Sequence, residues 1–251
     1  MLKKIILVLS LSLISITLEA TQYTQSSCTN TWNQIVREQS IDSLYQPLIG
    51  LCENEFRKEL KKIVSVNAYL SYNTAKKIIF SQIDNINGQV CGVYSGDCIT
   101  TSGIPNANLF NVEHSWCQSW GATGTAKSDI HHLFPTKSNI NSRRSNFPFC
   151  EVVYAAWEEN GSSFGKSLTS TTSCFEPPDW HKGELARAMF YFALRYSKTI
   201  DSDQEEFFRK WNEEYPVSNK EYNRNEDIFS VQGNRNPFVL YPDFIKLISN
   251  F

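Results

Sequence analysis

The placement of seven cysteines constrains this 251-residue chain more than any other feature. They stand at positions 28, 52, 91, 98, 117, 150 and 174, and all of them follow an apolar leader. The leader reads MLKKIILVLSLSLISITLEATQ, with Lys3 and Lys4 ahead of an apolar run from Ile5 to Leu18 and a small residue, Ala20, beyond it. That order of charge, apolar run and small residue is the pattern of a secretory signal over residues 1–20. The run is shorter than the ~20 apolar residues a membrane span requires, so no membrane anchor is expected once the signal is cut. Thiols exported to an oxidising compartment pair. An odd count implies three bridges and one free thiol, and six cysteines already allow about 15 connectivities. Closure between neighbours suggests Cys28–Cys52, Cys91–Cys98 and Cys150–Cys174, with Cys117 left over. No CxxC spacing occurs, which removes support for a zinc ribbon.

Residues 21–251 suffice for one large domain, and no linker composition divides them. From Trp32 to Ile83 the pattern is helical, with Phe56, Leu60 and Ile63 at three-to-four spacing. Gly88 to Gly103 switches to short, glycine-punctuated segments that read as a loop or ragged hairpin. Leu109 to Trp116 is the clearest strand. After Pro178 the chain turns helical again, and Leu185, Met189, Phe192 and Tyr196 form an apolar stripe. Further helices are expected over Asp201–Glu214, over Glu221–Gln232 and after Pro242. Asn160-Gly161-Ser162 is a glycosylation sequon. The expected class is α+β, a mostly helical single domain with a small β element at its centre.

Two stretches carry chemistry. NVEHSWCQSW, Asn111 to Trp120, sets Glu113 beside His114 in a strand, where neighbours point to opposite faces. If the strand ends there, both side chains can reach one point. SDIHHLFPTKSNINSRRSNFPF, Ser128 to Phe149, packs an aspartate, two histidines, three asparagines and two arginines into 22 residues. Pro135 suits the first turn of a helix over Thr136–Arg144, on which Asn141 and Arg144 share a face.

Glu113-His114, then Asp129-Ile130-His131-His132-Leu133-Phe134-Pro135, then Asn141-x-x-Arg144-Ser145-Asn146, resemble the secreted and periplasmic endonuclease I family. That family belongs to the ββα-metal, or His-Me finger, nucleases. The resemblance continues through Lys182-Gly183-Glu184-Leu185-Ala186-Arg187 and Gln232-Gly233-Asn234-Arg235-Asn236-Pro237-Phe238, and spans roughly Tyr72 to Asp243. It implies a central strand–strand–helix motif in which Glu113 and Asn141 hold one divalent cation, Mg²⁺, or Mn²⁺ or Ca²⁺ in its place. His114 would be the general base, and Arg144 the phosphate-contacting member of the catalytic set. Weaker substrate contacts are expected from Arg143, Lys127 and Arg235. Some relatives carry an arginine near the leaving group, between the Glu-His pair and the Asp-x-His segment. Here that connection, SWCQSWGATGTAKS, contains only Lys127.

The implied activity is a secreted, Mg²⁺-dependent, sequence-nonspecific endonuclease that leaves 5′-phosphate and 3′-hydroxyl ends on DNA, RNA or both. No obligate protein partner is implied. A catalytically silent secreted binding protein on the same scaffold is the alternative, and it would have lost the proton-transfer and metal groups that this chain retains. The net charge of −2 argues against a polyanionic partner unless Lys127, Lys137, Arg143, Arg144 and Arg235 converge locally. For His131 and His132 two readings stand equal, one of them orienting the site or a hydrogen-bonded place inside a hairpin, and neither is assigned a catalytic role. Cys117 fits a bridged or buried thiol better than a nucleophile.

Overall fold

A computed structural model describes residues 25–169 and 172–251. The expected leader, residues 1–20, lies outside the described residues. The chain divides into two compact units, one running up to Leu60 and including Lys246–Ser249, the other comprising Lys61–Ile245 and Asn250–Phe251.

In the first unit residues 25–38 are helical (α1), followed by a 3-10 turn, Gln46–Leu48. Cys28 is bridged to Cys52. Trp32 donates its indole N–H to the Leu51 carbonyl at 2.8 Å and sets its ring edge-on to Phe56, with centroids 5.8 Å apart. A buried indole needs such an acceptor, and the bridge keeps Leu51 within reach. Helix α2, Glu53–Val64, opens on the acidic Glu53 and Glu55 and closes on Lys61 and Lys62, matching the helix dipole at both ends. Its buried stripe is Phe56, Leu60 and Val64.

The last turn of α2, from Lys61, already belongs to the second unit, and the first helix wholly within that unit is α3, Tyr72–Ile78, whose first turn is capped by Ser71 accepting from the Thr74 N–H. A π-helical turn, Ile79–Ile83, extends it and buries Ile79, Phe80 and Ile83. The glycine-punctuated segment is a small antiparallel sheet of β1 (Asn85–Ile86), β2 (Gln89–Cys91) and β3 (Cys98–Thr100). The Cys91–Cys98 bridge joins directly paired positions of β2 and β3.

Strands β4, Phe110–His114, and β5, Leu133–Lys137, pair antiparallel in the register Phe110↔Lys137 to His114↔Leu133. Helix α4, Ser138–Arg144, follows and packs on both. Pro135 is therefore a strand residue opposite Val112, and the helix starts at Ser138 rather than Thr136. A helix from Thr136 would break the end of the β4–β5 ladder. Proline lacks only the donor, and its carbonyl still accepts from Val93 N–H at 2.9 Å.

A third sheet, not anticipated from the pattern, consists of β6 (Tyr154–Glu159), β7 (Ser162–Lys166) and β8 (Ser173–Glu176). Its hairpin turn is Asn160-Gly161, both at positive φ, 50° and 83°. Asn-Gly is the preferred pair for that turn, so the sequon residues act here as a turn signal. The Cys150–Cys174 bridge ties β8 to the segment after α4.

Helix α5, Asp179–Tyr196, is the centre of this unit and packs on α6 (Ser202–Glu214) and α8 (Pro237–Leu240). Leu185, Met189 and Phe192 are buried as the stripe implies, but so are Ala186, Phe190, Tyr191 and Leu194. A helix covered on every side has no polar face to reveal it as central. Helix α7, Asn219–Gln232, is capped by Ser218 and ends at Gly233, φ 84°. A 3-10 segment, Pro242–Leu247, follows α8. The three bridges match the expected local closure, and Cys117 is the free, buried thiol. Among the described residues no helix is long and apolar enough to cross a membrane.

Candidate active site

Strand β4 ends at His114, its last paired residue, and Glu113 and His114 have different hydrogen-bond partners. Glu113 is 2 % exposed. Its Oε1 accepts from the Tyr94 hydroxyl at 3.1 Å and lies 3.1 Å from Arg144 Nε. Burial raises its pKa to about 7, against the lowering pull of Arg144 and of the Tyr94 hydrogen bond.

His114 Nε2 lies 3.1 Å from the Lys127 carbonyl. A carbonyl only accepts, so Nε2 carries the proton and Nδ1 keeps its lone pair. Burial, and then the neighbouring His132, push His114 down to about 3, so the imidazole is neutral at ordinary pH. The Tyr72 ring packs beside it with centroids 5.3 Å apart.

Asn141 is half-buried on α4 and donates its amide N–H to Asn111 Oδ1 at 2.7 Å. That bond orients the amide and leaves the carbonyl oxygen as its available donor atom. Among the described residues no cluster of three or more His, Cys, Asp or Glu side chains assembles as a metal group. A cation here would draw on one carboxylate and one amide oxygen, with water and phosphate filling the rest. Hard oxygen donors of that kind suit Mg²⁺.

Arg144 departs from the expected phosphate contact, because its side chain is completely buried. Besides Glu113 it addresses the Cys117 sulfur, the Ser145 carbonyl at 2.8 Å and the Ser115 carbonyl at 2.8 Å. Phe149 covers it at 4.4 Å and Trp120 at 5.4 Å. Enclosed in this way, the guanidinium cannot reach a substrate. The exposed neighbour is Arg143, over the Trp157 ring at 5.6 Å. The one-position step around a helix separates the two, and the pattern alone does not say which faces inward.

The other expected cations do not converge. Lys137 is held by Asp97 at 2.8 Å and Glu159 at 3.5 Å. Arg235 is bidentate to Glu226 at 2.7 and 2.6 Å and lies over Phe229. Lys127 does lie at the site, with its ammonium 4.8 Å from the Tyr72 ring centroid.

The loop that supplies the Lys127 carbonyl is three 3-10 turns, Gln118–Trp120, Gly124–Ser128 and Ile130–His132. Asp129 anchors it. Its carboxylate accepts from the His131 N–H, the Tyr191 and Tyr196 hydroxyls, Arg195 and Gln232. His131 and His132 are structural, each with Nε2 at a backbone carbonyl, Asn234 at 3.0 Å and Ala126 at 2.8 Å. Sequence reasoning missed Tyr94 and Tyr72, which reach the site from segments outside both motif stretches.

The profile of the Endonuclease I family matches residues 52–243, and the chain is a member of that family. The match begins some way before Tyr72, where the recognisable motifs start. Extracellular ribonuclease of Bacillus subtilis (strain 168) is 29 % identical over 231 residues, covering 81 % of this chain and 77 % of its own. Endonuclease-1 of Buchnera aphidicola subsp. Baizongia pistaciae (strain Bp) is 33 % identical over 113 residues, 45 % of this chain and 46 % of its own. Extracellular deoxyribonuclease of Aeromonas hydrophila is 30 % identical over 117 residues, 45 % of this chain and 49 % of its own.

Proposed function

We propose that the chain is a secreted, metal-dependent, sequence-nonspecific endonuclease that hydrolyses DNA, RNA or both through a His-Me finger formed by β4, β5 and α4. The observation that carries this reading is the His114 tautomer. With Nε2–H donated to the Lys127 carbonyl at 3.1 Å, Nδ1 is the base, neutral and fixed in direction. It takes a proton from water, which attacks phosphorus in line with the leaving 3′-oxygen and leaves 5′-phosphate and 3′-hydroxyl ends. A nucleophilic water makes no use of a ribose 2′-hydroxyl, so the chemistry is indifferent to the sugar.

Glu113 and Asn141 would hold the divalent cation, Mg²⁺ by the hardness of the donors. Bound there, it supplies Lewis-acid stabilisation of the charge that develops on phosphate and leaving oxygen. Tyr94 and Arg144 act through Glu113, both on Oε1, and fix the direction of the carboxylate. Relatives named as extracellular ribonuclease and extracellular deoxyribonuclease support export and leave both nucleic acids as substrates.

The test is nicking of supercoiled plasmid, with a parallel lane of structured RNA, by the purified protein with Mg²⁺, with EDTA, and after His114→Ala. Cleavage lost under EDTA and in the variant is expected. A folded wild-type protein that cuts neither substrate with Mg²⁺ or Mn²⁺ would overturn the reading in favour of a silent binding protein.

A further inference from the structure

Beside His114, two ammonium groups approach one aromatic ring. Lys76 Nζ is 5.1 Å and Lys127 Nζ 4.8 Å from the Tyr72 centroid, and that ring is itself 5.3 Å from His114. Lys76 comes from α3, and Lys127 from the 3-10 turn Gly124–Ser128 that packs against α3. Neither lysine has a carboxylate partner among the described residues. Six of the buried or half-buried arginines, at 144, 187, 195, 209, 224 and 235, each have one. The Tyr72 hydroxyl also makes no hydrogen bond to the described protein. Contact with the ring face offsets part of the repulsion between the two cations, and no ion pair among the described residues neutralises the remainder.

A cleft of about 240 Å³ adjoins these elements, walled by Asn67, Tyr69 and Leu70 just ahead of α3 and by Thr125 and Ser128 on either side of Lys127. Tyr72, Lys76 and Lys127 thus stand close in the chain to the residues that wall this cleft, with the Tyr72 ring beside that of His114.

The geometry points to a subsite formed by Tyr72, Lys76 and Lys127 that binds the non-bridging oxygens of the phosphate next to the scissile one, a sequence-independent backbone contact. The inference rests on the nuclease reading and deepens it. Lysine suits such a place as a point charge on a flexible stem, able to follow either sugar's backbone. The subsite also locates positive charge that the acidic total of the chain conceals.

The experiment measures binding of a fluorescent single-stranded oligonucleotide to the His114→Ala protein against salt concentration, together with Mg²⁺-dependent cleavage by proteins that retain His114. Lys76→Ala/Lys127→Ala should lower the slope of log K against log salt by about 1.4, at ~0.7 per phosphate-neutralising charge on a single strand. It should weaken binding equally for unrelated sequences and raise KM more than it lowers kcat. Lys77→Ala, the exposed neighbour on α3, removes the same charge and should leave the slope unchanged. Lys76→Gln/Lys127→Gln, which retains side-chain contact with Tyr72, should reproduce the loss with an unchanged melting temperature.

An unaltered slope in both double variants, or an equal change in Lys77→Ala, overturns the subsite. If the wild type binds but does not cut, the nuclease reading fails and the binding arm still decides the subsite. If it neither binds nor cuts, both fail.

Discussion

Arg144 Nε lies 3.1 Å from Glu113 Oε1, and the two side chains are 0 % and 3 % exposed. The conspicuous basic residue of the motif thus serves the carboxylate from behind. Removing one member of a buried pair leaves the other charged and unsolvated, at a cost of about 3–5 kcal/mol. Arg144→Met should destabilise by that order in urea unfolding. Adding Glu113→Leu should recover part of the loss, since an apolar pair leaves no buried charge. A loss for Arg144→Met below about 1 kcal/mol would mean that the pair is not closed in solution.

Tyr94 donates to the same oxygen. Tyr94→Phe keeps the ring against Phe175 and removes only the hydroxyl. Loss of such a supporting hydrogen bond costs roughly 10–100-fold in metal affinity or activity. The Mg²⁺ concentration for half-maximal cleavage should rise by that order while the melting temperature moves little. An unchanged Mg²⁺ requirement would remove Tyr94 from the site.

The loop that holds His114 should be acid-labile. Burial pushes His131 and His132 down to about 4, against roughly 6.5 in an unfolded chain. The unfolded chain therefore binds protons that the native one refuses. Stability is fully present above about pH 6.5 and falls through the window down to 4, by up to ~1.4 kcal/mol per pH unit for each histidine. Asp129 adds a lower stage. Burial alone would raise it, but Arg195 foremost brings it down to about 2, so its contribution is intact above about pH 4 and lost towards 2. Urea midpoints at pH 7.5, 5.5 and 4.5 measure this, and equal midpoints would contradict the buried neutral histidines.

Gly183 gives a prediction whose sign is opposite to helix propensity. In a helix interior alanine is usually favoured over glycine by ~1 kcal/mol. Here an added Cβ would stand 2.3 Å from the Tyr215 carbonyl oxygen and 2.7 Å from Arg187 Nη2. Gly183→Ala should destabilise by about 1–3 kcal/mol through overpacking, read from its denaturant midpoint. A stabilised variant would show that α5 and the Tyr215 segment are not in contact.

Much of the site was legible in the linear order. Glu113-His114, the Asp129 segment and Asn141-x-x-Arg144 sit on one strand–loop–strand–helix stretch, and motif spacing describes residues so joined. The disulfides were legible for the same reason, since each closes a short segment, with sequence separations of 24, 7 and 24. The main helices followed from capping residues and apolar spacing, both local properties. What the sequence could not settle depends on chain segments that meet from afar. Arg143 and Arg144 are equally polar as text, and only the packing of Phe149 and Trp120 decides which is enclosed. Tyr94 reaches Glu113 across 19 positions, and Tyr72 reaches His114 across 42. Pro135 remains in a strand because pairing with β4 outweighs its suitability for a helix start. The sequence alone therefore determined which groups the chain could bring to a phosphodiester. Tertiary packing decided which of them are enclosed and which stay accessible, because burial and pairing belong to neighbours that no local spacing records.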